Sequence, residues 1–232
     1  MKSVDHDSAL AVLIPAYNCA GTIGDVVTGA RRHVDRVLVV DDGSHDATAE
    51  RAAAGGAEVL RQPHNTGKGA ALRAGLERLA ARGATRVLTM DGDGQHLSDQ
   101  IPLVLAASAR APHALIIGAR QVAPGQTTPI RLFGNRFANS WVEIACGLAL
   151  PDTQSGFRVY PLPETLALGA SAGHFAFETE VLIRAARGGI EVISVPVAAY
   201  YPPPAERVSH FRPFVDTVRI IHIVLRLILL RR

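Results

Sequence analysis

A series of short apolar runs divides the first half of the sequence, and most of them end directly in a polar, glycine-containing turn. The runs are Leu10–Ala16, Val37–Val40, Val87–Met90, Ala114–Ile117 and a weaker one at Glu58–Arg61. Continuous apolar runs of this length are typical of strands that are covered on both faces. This feature constrains the fold most, because it requires a central sheet with a layer on each side.

Helical patterns alternate with these runs. Helices are predicted at Thr22–His33 and Lys68–Ala81, and a third after Ser98 or Asp99, either of which could cap it, with Pro102 in its first turn. Alternating strands and helices indicate right-handed βαβ units and a mostly parallel sheet. The polar turns then meet at the carboxyl edge of the sheet, where open α/β sheets bind ligands.

The second half has a less regular pattern. It is interpreted as a helix, a loop entering a strand, a second helix and a further strand, at Arg131–Cys146, Asp152–Tyr160, Phe177–Gly188 and Ile190–Val197. The 232 residues fit one globular α/β domain, residues 1–212, followed by a C-terminal helix at residues 213–232.

Charge and cysteine content exclude several classes. The net charge is only +3, and 5 of the 24 basic residues fall in the last 21 positions, so no nucleic-acid partner is expected. Cys19 and Cys146 lack the spacing of a metal site, and a reduced, cytoplasmic chain is predicted. Residues 1–10 carry acids and no apolar run, so no signal peptide is expected.

The stretch after the fourth run reads Asp91-Gly92-Asp93-Gly94-Gln95-His96. Alternate residues of an extended segment point the same way, so Asp91, Asp93 and Gln95 can face one cation. Oxygen ligands of this kind select Mg²⁺ or Mn²⁺. The alternative is an acidic turn with capping roles. A calcium-binding EF-hand loop is excluded, because His96 stands at its glycine position.

Two further turns are candidates for a nucleotide. Asp42 follows the second run, where a carboxylate commonly binds a ribose hydroxyl or a base; the alternative is a solvated turn. Asn65-Thr66-Gly67-Lys68-Gly69 opens a helix and could bind a diphosphate or a base. It is not a P-loop, since Gly69 follows Lys68, and no dinucleotide fingerprint follows the first run.

These motifs, taken together, resemble a known family. Ile14–Asn18, Val40–Ser44, Met90–His96, Gly118–Arg120 and Asp152–Arg158 resemble, in order and spacing, the inverting GT-A glycosyltransferases of family 2. Within it the chain is most similar to the dolichyl- or polyprenyl-phosphate mannose synthase branch. The resemblance implies the GT-A fold and metal-dependent transfer of a sugar, using Mg²⁺ or Mn²⁺, from a GDP- or UDP-sugar to a lipid phosphate.

The resemblance also implies roles for individual positions. The nucleotide-binding residues would be Pro15, Tyr17, Asp42, Lys68 and Asp91. The metal ligands would be Asp91, Asp93 and Gln95, and the catalytic residues Asp93, Arg120 and Asp152. The residues for the acceptor and its phosphate would be Arg136, Ser140 and Arg207. The chain departs from the family at Cys19, where glutamate is frequent, at Gly94, and around Arg207.

The role of Asp152 depends on the acceptor. A lipid phosphate is already an anion and needs arginines to position it, whereas a hydroxyl acceptor, on a glycolipid or polysaccharide, needs a base such as Asp152. With a phosphate acceptor Asp152 would orient its loop instead. A nucleotidyltransferase is disfavoured, because no basic residue lies in the turn after the first run. A non-catalytic binder is disfavoured because the metal and acceptor positions are filled.

The tail, Pro213–Arg232, predicts an amphipathic helix. Asp216, Arg219, His222 and Arg226 share one sector, and the apolar residues across from it are Phe214, Val218, Ile221, Val224, Leu225 and Ile228. The charges interrupt the apolar run that a spanning helix needs. An interfacial helix on the cytoplasmic face of the cell membrane is therefore expected. The alternative is a helix docked on the sheet or on a second copy, in a homo-oligomer.

Overall fold

A computed structural model describes residues 9–121, 129–201 and 213–229 of the chain. The strands are β1 (Leu10–Ala16), β2 (Val37–Asp41), β3 (Glu58–Arg61), β4 (Arg86–Thr89), β5 (Leu115–Gln121), β6 (Arg158–Pro161) and β7 (Val192–Ala198). The helices are α1 (Ile23–Arg31), α2 (Thr48–Ala54), α3 (Lys68–Ala80), α4 (Ile101–Arg110), α5 (Pro129–Cys146), α6 (Leu162–Ala167), α7 (Ala176–Arg187) and α8 (Pro213–Leu229).

The described residues form a seven-stranded sheet in the order β3-β2-β1-β4-β6-β5-β7. Neighbouring strands are parallel except at β6, which runs antiparallel to both β4 and β5. The prediction of a mostly parallel α/β sheet is confirmed. The ends of β1, β2 and β4 lie side by side, so the residues predicted at these strand ends, Pro15, Asp42 and Asp91, lie at one edge of the sheet.

Both faces of the sheet are covered, as the continuous apolar runs predicted. In β1, Leu13 faces a core built with α3, α7 and α8, whereas Val12 and Ile14 face a second core built with α1 and α4. The contact between α3 and β1 is close, because a side chain at Gly75 would lie 2.3 Å from Leu13 Cδ1. Full burial of a leucine or isoleucine contributes about 1.5–3 kcal/mol, so these two layers supply most of the stability.

Pro102 lies in the first turn of α4, as predicted, but the predicted cap of this helix is wrong. A 3₁₀ turn, Ser98–Gln100, precedes the helix, and neither Ser98 nor Asp99 makes a side-chain capping bond. Ser98 instead packs against Gly29 of α1, where a methyl group would come within 2.8 Å of its hydroxyl. The side chain of Ser98 therefore contributes to the packing of this turn on α1 and not to a cap.

Helix α8 packs against α5 and α7, and the two-faced division predicted from its helical wheel does not describe this packing. The buried face contains Ile220, Ile223, Val224 and Leu227, while Val218 is half exposed. A surface helix buries one apolar stripe against the protein, but α8 also leaves apolar side chains exposed beside its buried stripe. Among the described helices, none is long and apolar enough to cross a membrane.

Candidate active site

A cavity of about 450 Å³ opens at the carboxyl ends of β1, β2 and β4. Six residues predicted from the sequence line it: Pro15, Tyr17, Asp42, Lys68, Asp91 and Asp93. Its wall also contains residues that were not predicted to belong to the site, among them Cys19, His174, Phe175, Asp216 and Arg219. The volume lies in the range of sites for small molecules and cofactors.

Asp42 shapes the wall of the cavity. It is 3% exposed, which excludes the solvated turn. Its Oδ1 accepts the backbone N–H of Thr66 at 2.8 Å, and its Oδ2 accepts that of Gly67 at 2.7 Å. Gly67 has a φ of +92°, and a side chain there would collide with His174, so glycine is required. Asp42 therefore ties the second strand to the loop that precedes α3.

Lys68, the first residue of α3, reaches two carboxylates. Its Nζ lies 2.7 Å from Asp91 Oδ1 and 3.0 Å from Glu178 Oε2. Burial alone would lower the pKa of Lys68, but the two carboxylates outweigh it and hold the pKa above its ordinary value. Gly156 makes room for this group, because a Cβ there would lie 2.9 Å from both Asp91 Oδ2 and Lys68 Nζ.

The two aspartates of the strand end have opposite pKa shifts. Burial would raise the pKa of Asp91, but the charge of Lys68 lowers it to about 2. Burial and the charge of Asp91 raise the pKa of Asp93 to about 6, although the Gln95 N–H donates to its Oδ1 at 3.0 Å. In the described ranges no lysine or arginine pairs with Asp93. Negative charge is thus concentrated at Asp93, facing the cavity.

These two carboxylates fit a divalent cation. A cation beside Asp93 would relieve the repulsion that raises its pKa. No group of three or more His, Cys, Asp or Glu side chains in the described residues can enclose a metal. Mg²⁺ commonly binds one or two carboxylates and completes its shell with water and substrate phosphates, so two are sufficient. Gln95, the third predicted ligand, is not among the residues that line the cavity.

His96 supports the aspartate turn. Its Nδ1 accepts the backbone N–H of Asp91 at 3.0 Å, and its ring stacks on Phe157 with the centroids 5.3 Å apart. Burial lowers the pKa of His96 to about 4, so the ring is neutral near pH 7. Cys19 stands nearby in the wall, and burial raises the pKa of its thiol to about 11. Neither side chain is charged at neutral pH.

Arg120 and Asp152, two predicted catalytic residues, form a paired unit. Asp152 Oδ2 accepts Arg120 Nε at 2.7 Å, and its Oδ1 accepts Arg120 Nη2 at 3.0 Å. The backbone N–H groups of Arg120 and Gln154 donate to the same carboxylate. Burial would raise the pKa of Asp152, but the hydrogen bonds and charge of Arg120 lower it. Both oxygens of Asp152 are therefore engaged.

The predicted acceptor residues are not brought into the cavity wall. Arg136 and Ser140 are exposed on α5, and the Ser140 hydroxyl donates to the Arg136 carbonyl at 3.0 Å. Arg207 lies outside the described residues. The roles of these three residues in binding an acceptor phosphate stay predictions.

Sequence reasoning missed the contribution of α7 and α8. Glu178 precedes Val181 and Leu182 by three and four residues, so the helical period places this acid on the inward face, and that signal was available. His174 and Phe175 lie in the turn before α7, where no pattern indicated a site. Asp216 and Arg219 were assigned to the polar side of an interfacial helix, but they line the cavity.

Comparison with known proteins agrees with this geometry. Residues 11–166, more than half of the chain, match the model of the family described as Glycosyl transferase family 2. The chain is 34% identical to Glycosyltransferase AglJ of Haloferax volcanii over 212 residues, which cover 90% of this chain and 68% of that protein. It is 32% identical to the undecaprenyl-phosphate mannosyltransferase of Micrococcus luteus over 200 residues, 80% and 81% of the two chains.

A solved structure shares the fold. Glucosyl-3-phosphoglycerate synthase of Mycobacterium tuberculosis, in complex with Mg²⁺ and uridine diphosphate, superposes with a TM-score of 0.75 at 22% identity, covering 97% of this chain and 80% of that one. The matched family region contains β1, β2 and β4, whose ends build the cavity. The chain therefore belongs to glycosyl transferase family 2 and is a glycosyltransferase with the GT-A fold.

Proposed function

We propose that the protein transfers a sugar, with inversion at the anomeric carbon, from a GDP- or UDP-sugar to a polyprenyl phosphate or related lipid phosphate. The cavity at the strand ends supports the donor class, because it combines the turn at Asp42 with the carboxylates of Asp91 and Asp93. The relative named for undecaprenyl phosphate supports the acceptor class. The observation that carries the choice of acceptor is the Arg120–Asp152 pair.

On the donor side, the departing nucleoside diphosphate gains negative charge as the bond to the sugar breaks. Mg²⁺ or Mn²⁺ held by Asp91 and Asp93 would supply Lewis-acid stabilisation of that charge, worth several kcal/mol. Lys68 holds Asp91 ionised and oriented, since its Nζ lies 2.7 Å from Asp91 Oδ1. Asp93, which has the higher pKa, presents the less compensated carboxylate to the cavity.

On the acceptor side, the structure favours a nucleophile that is already an anion. A general base needs a free lone pair and a pKa near the working pH. Asp152 has neither property, because four donors, three from Arg120 and the backbone N–H of Gln154, fill its two oxygens, and Arg120 lowers its pKa. A lipid phosphate needs no base and is held by arginines through charge-assisted hydrogen bonds.

The function is tested by a transfer assay with two acceptors. Thermal shift with UDP- and GDP-sugars, with and without Mn²⁺, first selects the donor, because a ligand bound by the native state raises the melting temperature. Transfer of that sugar to a polyprenyl phosphate, with no transfer to the matching polyprenol, is expected. Transfer to a hydroxyl-bearing glycolipid but not to the phosphate would contradict the proposed acceptor.

Asp152→Asn separates the two acceptor classes within the same assay. The substitution keeps the shape of the side chain and one oxygen for Arg120 but removes the charge from their buried pair, so we expect a lower melting temperature and less than about a tenfold fall in transfer to the lipid phosphate. Loss of a general base costs roughly 10²–10⁴-fold. A loss of that size, measured well below the melting temperature of the variant, would instead assign Asp152 as the base for a hydroxyl acceptor.

We propose in addition that α8, with its neighbour α5, attaches the protein to the cytoplasmic face of the membrane that contains the acceptor. Among the described residues, the large apolar side chains exposed on these two helices are Phe137, Ile144, Val215, Val218, Leu225 and Leu229, and the exposed Leu148 lies just after α5. Arg136 and Arg226 are exposed on the same helices and are attracted to anionic lipid. The lipid-water interface is the occupant that this combination of apolar and basic side chains favours.

Flotation with liposomes that contain anionic lipid tests this attachment. Val218→Asp together with Leu225→Asp should reduce the floated fraction by about tenfold or more, because each aspartate opposes both insertion and the lipid charge. The control is Leu103→Asp on α4, an equally exposed leucine on another helix. Unchanged flotation of the double variant would refute the attachment, and a dimer broken by it would assign the surface to a second copy.

A further inference from the structure

Helix α8 reaches the cavity from a part of the sequence that is distant from every recognised motif. Asp216 and Arg219, in the first two turns of the helix, line the same cavity as Lys68, Asp91 and Asp93. The matched family region ends at residue 166, so these two residues lie beyond it. The C-terminal helix therefore forms part of the wall of the site.

Asp216 and Arg219 form an ion pair on adjacent turns of the helix. Arg219 Nη1 lies 3.0 Å from Asp216 Oδ1, and Asp216 is 3% exposed. The Arg219 side chain is 41% exposed, so its guanidinium contacts Asp216 through Nη1 and is otherwise accessible. A guanidinium has five N–H donors, and the bond to Asp216 uses one of them. Among the described residues no other partner of Arg219 is found, so its remaining donors are available to a ligand in the cavity.

The charges of the cavity wall indicate which kind of ligand Arg219 could bind. Among the described residues of the wall, the acids are Asp42, Asp91, Asp93 and Asp216, and the cations are Lys68 and Arg219. Lys68 is already shared between Asp91 and Glu178. A phosphorylated ligand that enters this acidic space needs a positive partner, and arginine binds phosphate oxygens in a fixed geometry.

We propose that Arg219, oriented by Asp216, binds a phosphate group in the cavity, so that the C-terminal helix completes the active site. The phosphate belongs either to the nucleoside diphosphate of the donor or to the lipid acceptor. This inference rests on the proposed function for the identity of these ligands. Asp216 acts through Arg219 and is a positioning residue.

The experiment compares Arg219→Gln with a matched variant on another helix. Arg110→Gln removes an exposed arginine from the end of α4, outside the cavity wall. Calorimetry measures the dissociation constants of UDP and GDP with Mn²⁺ and of the free nucleosides. The transfer assay gives the KM for the polyprenyl phosphate. Arg219→Lys and Asp216→Asn complete the series.

Arg219→Gln should lower the affinity for one of the two phosphate ligands about tenfold. This is the value expected for losing a hydrogen bond to a charged group at a partly exposed site. If the donor is bound, the affinity for the diphosphate falls and that for the nucleoside does not. If the acceptor is bound, its KM rises and the diphosphate affinity stays constant. Arg219→Lys should recover part of either loss, and Asp216→Asn should give a smaller loss with the same ligand.

A wild-type protein that binds the diphosphates and transfers sugar, with Arg219→Gln indistinguishable from Arg110→Gln for both ligands, would overturn the inference and leave the proposed function standing. Equal losses for nucleoside and diphosphate would also overturn it, because they indicate a structural role. A wild-type protein without transfer to lipid phosphate refutes the proposed acceptor. The diphosphate affinities then still show whether Arg219 binds the phosphates of the donor.

Discussion

Replacing Asp93 by asparagine is expected to reduce sugar transfer by roughly 10²–10³-fold, the range seen when one group that stabilises developing negative charge is removed. The substitution should not destabilise the folded chain. Burial and the neighbouring charge of Asp91 raise the pKa of Asp93 to about 6, so keeping this carboxyl ionised at neutral pH costs the folded chain free energy. An uncharged side chain of the same shape removes that repulsion.

The pH dependence of stability follows from the same pKa. In metal-free buffer the folded chain keeps a proton on Asp93 up to about pH 6, whereas the unfolded chain releases it near its ordinary value of 3.8. The stabilising contribution is thus complete below about pH 4 and is lost as the pH rises through 6. Asp93→Asn lacks this loss, so at pH 7.5 it should be more stable than the wild type by about 1–3 kcal/mol.

Urea titrations of both proteins at pH 5 and 7.5, in EDTA and in Mn²⁺, measure these effects. Mn²⁺ should stabilise the wild type and have little effect on Asp93→Asn, since a ligand stabilises only the state that binds it. Asp99→Asn is the control, because Asp99 is exposed and lies outside the cavity wall. Full transfer activity in Asp93→Asn, or equal stabilisation of the two proteins by Mn²⁺, would remove Asp93 from the metal site.

Replacing Lys68 by methionine is expected to lower the free energy of unfolding by about 3 kcal/mol and to abolish most transfer. The loss arises because the carboxylates of Asp91 and Glu178 would remain without their cation, and removal of one partner from a buried ion pair commonly costs 3–5 kcal/mol. The side chains of Lys68 and Glu178 are only 14% and 7% exposed, so water solvates the unpaired Glu178 carboxylate poorly.

A second substitution separates stability from activity. Glu178→Gln in the Lys68→Met background neutralises one stranded carboxylate and should recover about half of the lost stability, while transfer stays low because Asp91 remains unpaired. Arg110→Met, which removes an exposed cation from the end of α4, is the control. If Lys68→Met unfolds at the same urea concentration as the wild type, the three side chains do not form the coupled group that their distances indicate.

The positions of the strands and of the nucleotide-side residues were readable in the sequence. β1 and β3 have the predicted bounds, and α3 differs from its prediction only by ending one residue earlier. The reason is local: a strand buried on both faces must be continuously apolar, and a parallel sheet places polar turns at one edge. Asp42, Lys68, Asp91 and Asp93 were found by this reasoning, and they line one cavity.

The direction of β6 was not readable. This strand lies between β4 and β5 and runs antiparallel to both, yet a four-residue strand buried on both faces has the same apolar pattern in either direction. Its direction follows from the loop before it. The buried Arg158 donates to the carbonyls of Thr153, Ser155 and Glu178, and thereby fixes that loop against α7.

The sequence by itself determined the layered sheet, its polar edge and the residue types that gather there, because these depend on periodicity and on the order of elements along the chain. Only the tertiary structure decided that Lys68 meets Glu178, that Arg120 takes both oxygens of Asp152, and that Arg219 enters the cavity. Each of these contacts joins residues 32 or more positions apart. Such contacts depend on how helices pack on the sheet, which no local pattern encodes.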